Sequence, residues 1–400
     1  MEKARFTKNK ELGVHSEYTE KLSYDKALQT RKFHEQLPGY NPTALVSLDS
    51  LADKLGVQKI WIKDESTRFG LNAFKSLGGS YGVCSSLAKL LGKELDTLTF
   101  AQLKDLVRQN LQGMHIVTAT DGNHGRGIAW ISGLLGLPVD IYMPKGTTQA
   151  RIKAIENLGG TVHVTDVYFD DTARMASQAA EENNWLLCQD TTIRPDYLDF
   201  PLLCMQGYLT MSLEVWEAIP TDQRPTHIFI QTGAGSLAGS VIGFFANVMQ
   251  DKKPCMVTVE AGNSDCVRVT AEAADGMLHI LTGDICTIMA GLSVGEPCSI
   301  GWDILRSHID AFASCPDSYT AQGMRVLGNP CGSDRRVVSG ESGAVGLGYL
   351  YEVLTNPVLA DQKQALGLNA DSRILCFSTE GDTDPESYRS IVWDGSYPVK

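Results

Sequence analysis

The chain has 400 residues, 43% of them hydrophobic, and a formal net charge of −12, which is enough apolar material for a large core and most simply two lobes. That acidity argues against a nucleic-acid or anionic-membrane surface, which needs basic patches, and leaves small metabolites as the expected partners. No apolar run approaches a membrane span, and the start, Met1-Glu2-Lys3-Ala4-Arg5, has no apolar signal core. Ten scattered cysteines with no CxxC pair and no zinc-like Cys/His spacing point to reduced thiols in the cytoplasm and to no metal site.

The first 40 or so residues are polar and weakly periodic and are expected to form an arm or irregular wrap. Next comes the strand-like run Ile60-Trp61-Ile62-Lys63-Asp64, followed by Asn72-Ala73-Phe74-Lys75, which places a lysine where a strand hands over to a helix. A lysine there can be a covalent catalyst if it sheds its proton near neutral pH, and pyridoxal phosphate is the carbonyl cofactor it would serve. A solvated lysine at a helix start is the bland alternative.

Beyond Lys75, apolar runs alternate with amphipathic stretches. The strands are His115 to Thr118, Val139 to Met143, Thr161 to Val164, Trp185 to Cys188 and His227 to Ile230. Between them lie helical patterns over Gly125 to Leu135, Gln149 to Leu158, Asp171 to Glu182 and Pro201 to Ala218. Strands separated by helices of this length need right-handed crossovers. They predict an α/β fold of two βα domains with mostly parallel sheets, ligands sitting at the carboxyl ends of strands in a shared cleft.

Three loops carry candidate chemistry. Thr120-Asp121-Gly122-Asn123-His124-Gly125 follows a strand and opens a helix. There Asn123 offers a donor to a phenolate oxygen such as a pyridoxal ring's, and Asp121 a carboxylate beside the reacting carbons. Asp121 as a helix cap is the alternative, and His124 reads as a packed histidine. Gly233-Ala234-Gly235-Ser236-Leu237-Ala238-Gly239 after the strand ending at Gln231 can cradle a phosphate at a helix N-terminus. It competes with a dinucleotide reading in which Glu260 would bind ribose, and with a turn needed only for packing. Cys376-Phe377-Ser378-Thr379-Glu380-Gly381-Asp382 brings two hydroxyls to a strand end. A hydroxyl facing a pyridine nitrogen leaves it largely unprotonated, which suits elimination at the β-carbon; Ser or Thr capping a turn is the alternative.

Taken in order, Asn72-Ala73-Phe74-Lys75, Asp121-Gly122-Asn123-His124-Gly125, Met143-Pro144-Lys145-Gly146, the Gly233 to Gly239 loop, Glu341-Ser342-Gly343-Ala344 and Ser378-Thr379-Glu380-Gly381-Asp382 resemble the motifs of fold type II pyridoxal-phosphate enzymes. Within that group, Lys63 to Lys75 and Thr120 to Gly127 closely resemble the diaminopropionate ammonia-lyases, while serine and threonine dehydratases usually carry a serine where this chain has Asp121. The resemblance also marks Gln189-Asp190-Thr191 as a second active-site carboxylate segment.

By this resemblance Lys75, Asp121 and Asp190 are catalytic. The cofactor site takes Phe74, Lys75, Asn123, the residues from Gly233 to Gly239, Glu341, Ser378 and Thr379, with a structural salt bridge or cap as the other role for Glu341. Elimination from D- and L-2,3-diaminopropionate to pyruvate and two ammonia is the implied reaction. Lys75 would remove the α-proton of the L-isomer, Asp121 that of the D-isomer, and Asp190 would hold the β-ammonium. A homodimer is implied too, with residues 1–80 and 191–400 as the larger cofactor-binding domain and 81–190 as the smaller. The alternatives are a serine/threonine dehydratase, a nicotinamide oxidoreductase using the Gly233 loop, and a non-catalytic metabolite-binding protein.

Overall fold

Strand His227–Gln231 sends Ile228 and Ile230 into one hydrophobic core and Phe229 into another. Leu375 and Phe377 against Ile374 and Cys376 repeat that split on strand Arg373–Ser378, and Trp61 against Ile60 and Ile62 on strand Lys59–Asp64. Side chains alternate across a strand, so a continuous apolar run is what a sheet covered on both faces requires. In the computed structural model, which describes residues 3–192 and 194–399, the strands are β1 (Arg5–Lys8), β2 (Leu45–Ser47), β3 (Lys59–Asp64), β4 (Ile116–Ala119), β5 (Val139–Met143), β6 (Thr161–Val164), β7 (Leu186–Leu187), β8 (His227–Gln231), β9 (Cys255–Ala261), β10 (Ala311–Cys315) and β11 (Arg373–Ser378). Met1 and Glu2, the first residues of the segment that lacks an apolar signal core, lie outside the described residues.

Seven strands form one sheet in the order β1-β10-β9-β8-β11-β3-β2, parallel except for its two edges, and four form a parallel sheet in the order β6-β5-β4-β7. The α/β class and the mostly parallel sheets are as expected. Helix Phe169–Asn183 covers one face of the smaller sheet through Ala176 and Ala180 against Val117 and Ala119. Helix Lys75–Leu90 shares the core of its other face with Ile116 and Ile141. Both sheets turn the carboxyl ends of strands toward one cavity, β4, β8 and β11 directly and β7 through the segment that follows it, the position ligands take in folds of this kind.

The N-terminal segment departs from the irregular wrap expected of it. β1 pairs antiparallel with β10, Arg5 opposite Ser314, and helix Tyr24–His34 buries Ala27, Thr30, Phe33 and His34. A buried stripe built largely from Ala, Thr and His has little hydropathy contrast, and β1 is four residues long, so neither element leaves a clear period in the sequence. His34 is held by Thr210 Oγ1 at 2.8 Å and Leu77 O at 3.0 Å.

At the end of β3 a buried cluster of charges fixes the approach to Lys75. Lys63 Nζ donates to Glu214 Oε2 at 2.5 Å, and Arg68 donates to Glu65 Oε2 at 2.8 Å and to Glu214 Oε2 at 2.7 Å. Two cations balance two carboxylates, all with side chains no more than 5% exposed. After it, Phe69 and Asn72 adopt positive φ (51° and 58°). Tertiary bonds hold that conformation: Gly381 N–H donates to Asn72 O at 3.0 Å, and Asn72 Nδ2 to Asp382 Oδ1 at 3.2 Å. Glu214→Ala leaves Lys63 and Arg68 facing one carboxylate, and a denaturant titration is expected to show a loss of about 3–5 kcal/mol. A loss below about 1 kcal/mol would mean water reaches the cluster.

Candidate active site

Lys75 is the first residue of its helix, and its ammonium hydrogen-bonds Asp190 Oδ2 just beyond β7. The same oxygen accepts the Tyr208 hydroxyl at 3.3 Å and lies 3.7 Å from His124 Nδ1. Ser236 Oγ donates to Asp190 O at 3.0 Å and ties this segment to the glycine loop. Burial would push the Asp190 carboxyl up, but the charges and hydrogen bonds of His124, Lys75 and Tyr208 outweigh it and hold it at about 2. Burial in turn keeps the His124 imidazole below its usual range against the pull of Asp190. With His124 neutral near pH 7, Lys75 and Tyr208 carry the stabilisation of the carboxylate there. Burial pulls the Lys75 ammonium down, yet Asp190, with Asp121 behind it, leaves it above its ordinary value. An ammonium so paired is no nucleophile, so a carbonyl cofactor must compete with Asp190 for Nζ.

Asp121 and Asn123 leave β4 through a loop fixed by Thr120 Oγ1, which accepts Gly122 N–H at 2.9 Å and Gly125 N–H at 3.0 Å. Gly122 sits at φ 150°, a backbone that side chains rarely adopt. Asp121 faces residues 290–294: a methyl added at Gly291 would lie 3.5 Å from Asp121 Oδ2 and 3.1 Å from Ser342 Oγ. Asn123 Nδ2 donates to Glu380 Oε2 at 2.6 Å, and Glu380 Oε1 accepts Ser342 N–H at 3.0 Å.

The glycine loop divides in two. Gly233 to Leu237 line the cavity. Gly235 takes φ 109°, and helix Ser236–Val248 starts with no side chain capping it, so its first N–H groups are left for a ligand. Ala238 and Gly239 lie inside the helix and off the cavity wall. A methyl on Gly239 would come within 2.9 Å of Met205 Cε and 3.1 Å of Gly301 Cα, so that glycine serves packing. Glu260 is fully buried and accepts the Val267 and Arg268 N–H groups at 2.9 and 2.8 Å, anchoring a helix start. It has no access to a ribose, which removes the support for a nicotinamide reading.

Of the two hydroxyls after β11, Thr379 lines the cavity and accepts Gln231 Nε2 at 2.7 Å, whereas Ser378 Oγ donates to Ser339 Oγ at 2.8 Å away from it. Glu341 also turns away: its carboxylate accepts the Ser387 hydroxyl, and burial, with Glu380 nearby, pushes its carboxyl up. The acid that reaches the site is Glu380, whose backbone pairs with Ala73 beside the lysine. Phe74 and Lys75, Asn123, Asp121 and Asp190 meet at the cavity as expected, while Ala238, Gly239, Glu341 and Ser378 do not. Sequence reasoning missed Gln231, Phe169, Ser342, Tyr208 and residues 290–294. Gln231 could have been found as the last residue of a strand running into the glycine loop; the irregular 290–294 segment carries no pattern.

Pyridoxal phosphate fits the donor set: an uncapped helix start behind a glycine cradle for the phosphate, a lysine for the carbonyl, the Asn123 amide for the ring oxygen and the Thr379 hydroxyl for the ring nitrogen. Gln231 Oε1 is buried there without a hydrogen-bond partner, as expected of a wall that a polar ligand completes.

Comparison with known proteins agrees. Residues 36–379 match the family model described as pyridoxal-phosphate dependent enzyme. The chain is 45% identical over 379 residues to the diaminopropionate ammonia-lyase of Escherichia coli K12, covering 94% of each. It superposes with a TM-score of 0.91 and 42% identity on the crystal structure of the Escherichia coli diaminopropionate ammonia lyase in complex with D-serine, covering 99% of this chain and 98% of that one. The biosynthetic L-threonine dehydratase of Haemophilus influenzae is 28% identical over 84% of this chain and 58% of its own. With a lysine, a glycine cradle and two carboxylates gathered in one cavity, and with the family model spanning most of its length, the chain belongs to the pyridoxal-phosphate dependent enzymes.

Proposed function

We propose that this protein is a diaminopropionate ammonia-lyase that converts D- and L-2,3-diaminopropionate to pyruvate and two ammonia. One observation carries the reading beyond the family: a second carboxylate, Asp190, hydrogen-bonded to Lys75 in the cavity that Asp121 also lines. A dehydratase expelling a neutral hydroxyl has no use for this pair, whereas a cationic β-substituent is stabilised by it. The relatives support the same choice, the ammonia-lyase matching at 45% and the threonine dehydratase at 28% identity.

Pyridoxal phosphate, which Lys75 would hold, would supply an electron sink that acidifies the substrate's α-hydrogen. Lys75 would take the α-proton of the L-isomer, and Asp121 that of the D-isomer from the opposite face. Asp190 holds the β-ammonium, so the carbon–nitrogen bond breaks with its electron pair leaving on neutral ammonia. Asn123 with Glu380, and Thr379 with Gln231, orient the ring. Residues 290–294 and Phe169 complete the cavity wall.

The larger lobe of this reading is residues 1–80 with 191–400 and the smaller is 81–190, a division supported by how the strands sort between the two sheets. A homodimer in the cytoplasm belongs to the same proposal; the ten free cysteines fit a reducing compartment. Among the described residues no helix is long and apolar enough to cross a membrane. The test is release of pyruvate and ammonia from each diaminopropionate enantiomer by cofactor-loaded protein, beside L-serine and L-threonine. Two ammonia per pyruvate, with little turnover of the hydroxy amino acids, is the expected result; turnover of serine or threonine alone would make this a dehydratase.

A further inference from the structure

Asp190 has three neighbours at one oxygen, and the Tyr208 hydroxyl is the one that donates to it as a neutral group. Lys75 leaves when its nitrogen is engaged by the cofactor. His124 directs its proton elsewhere: Nε2 lies 2.7 Å from the Cys188 carbonyl, which can only accept, so the neutral ring carries its proton there. Its Nδ1 is buried without a hydrogen-bond partner and lies 3.7 Å from Asp190 Oδ2, beyond hydrogen-bond distance. The Tyr208 hydroxyl is the remaining donor.

Packing fixes the Tyr208 ring. It is fully buried, with the Phe74 ring centroid 4.8 Å away, and it crosses helix Lys75–Leu90 where a methyl on Gly78 would meet Tyr208 Cε1 at 2.4 Å. The neighbouring Gly207 lets the two helices approach so closely that a methyl there would lie 2.5 Å from Leu77 O. Among the described residues no protein group donates to Asp190 Oδ1, and Asp190 lines the cavity.

We propose that Tyr208 is a positioning residue for the elimination: its hydroxyl, locked across Gly78 onto Asp190 Oδ2, keeps that carboxylate turned into the cavity as acceptor for a cationic β-substituent while Lys75 is engaged elsewhere. The proposal rests on the reading of Lys75 as the cofactor lysine. Its electrostatics follow from what faces Asp190. Lys75, Asp121 and His124 approach from the lysine helix and the β4 loop, Tyr208 and Cys204 from helix Asp199–Ala218, and Tyr197 and Cys188 from its own segment. Burial drives the Tyr208 and Tyr197 phenols and the Cys188 and Cys204 thiols well above their usual values, so they stay protonated. Tyr208 therefore donates across the working pH range, and donation to the charged form of a carboxyl favours that form.

Tyr208→Phe keeps the ring and its packing and removes the donor. In cofactor-free protein, the Asp190 carboxyl titration by carbon-13 resonance, assigned through its loss in Asp190→Asn, is expected to move up by about one pH unit. In loaded enzyme the acid limb of kcat/KM for diaminopropionate should move up too, with KM rising more than kcat falls. Tyr197→Phe removes a phenol that bonds Leu187 O and Gln189 N–H instead, and should move neither. Fluorotyrosine at position 208, a stronger donor on the same ring, should shift the Asp190 titration down. An Asp190 titration that ignores both changes at position 208 overturns the proposal. Wild-type protein that releases no pyruvate from diaminopropionate overturns the functional reading instead, and the cofactor-free titration still decides on Tyr208.

Discussion

Lys75→Ala is expected to lower kcat for both diaminopropionate enantiomers by about 10⁴-fold or more, because the variant loses at once the covalent partner of the cofactor and a base at the α-carbon. The visible absorbance of cofactor-loaded wild-type protein should disappear or change form in the variant. Stability has a separate expectation. Asp190 is 3% exposed at its side chain and loses its only cationic hydrogen-bond partner among the described residues. With burial unopposed by Lys75, its carboxyl should rise from about 2. A folded-state value held below 3.8 contributes stability that is present above that pH and fades as the pH falls toward about 2. The variant should therefore be less stable than wild type near pH 7 and approach it in acid. Retained turnover in Lys75→Ala would show that the reaction does not pass through this lysine.

Asp121→Asn should separate the two enantiomers. The amide has the shape of the carboxylate but cannot take a proton, so D-diaminopropionate turnover is expected to fall by about 10³-fold and L-diaminopropionate turnover by less than about tenfold. Asn matches Asp in size and shape, so the expected loss is chemical. Equal losses on the two substrates would sink the assignment of one base to each face, and would leave Asp121 as a group that only helps retain the β-ammonium.

The parts of the site that are legible in the sequence are those whose chemistry is local. The βα alternation from β4 to β8 is readable because each strand is a short apolar run and each helix an amphipathic one. Gly233 to Leu237 are readable because a phosphate cradle needs small residues between a strand and a helix start. Asp190 becomes visible only through resemblance: a single carboxylate after the two-residue strand β7 has no local signature.

Glu341 and Glu380 show where the local signal stops. Both stand in short motifs with glycine and hydroxyl neighbours, and the chain alone gives no reason to prefer one. The antiparallel bridge from Ala73 to Glu380 turns Glu380 toward Asn123, while Glu341, the first residue of helix Glu341–Thr355, is turned to Ser387. Ser378 and Thr379 are decided in the same way: adjacent residues leaving a strand point in opposite directions, and pairing with β3 and β8 selects which of them meets the cavity.

By itself the sequence determined the layered α/β architecture, because periodicity acts over a few neighbouring residues, and it offered Lys75 and the Asp121 loop as candidates that only the family resemblance singled out. Tertiary structure alone decided which carboxylate faces Asn123, which hydroxyl lines the site and which phenol serves Asp190. Those contacts join residues such as Tyr208 and Asp190, or Asn123 and Glu380, that are brought together by helix crossings and strand register. Such pairings follow from how buried surfaces close-pack, a property of the whole core that no segment holds alone.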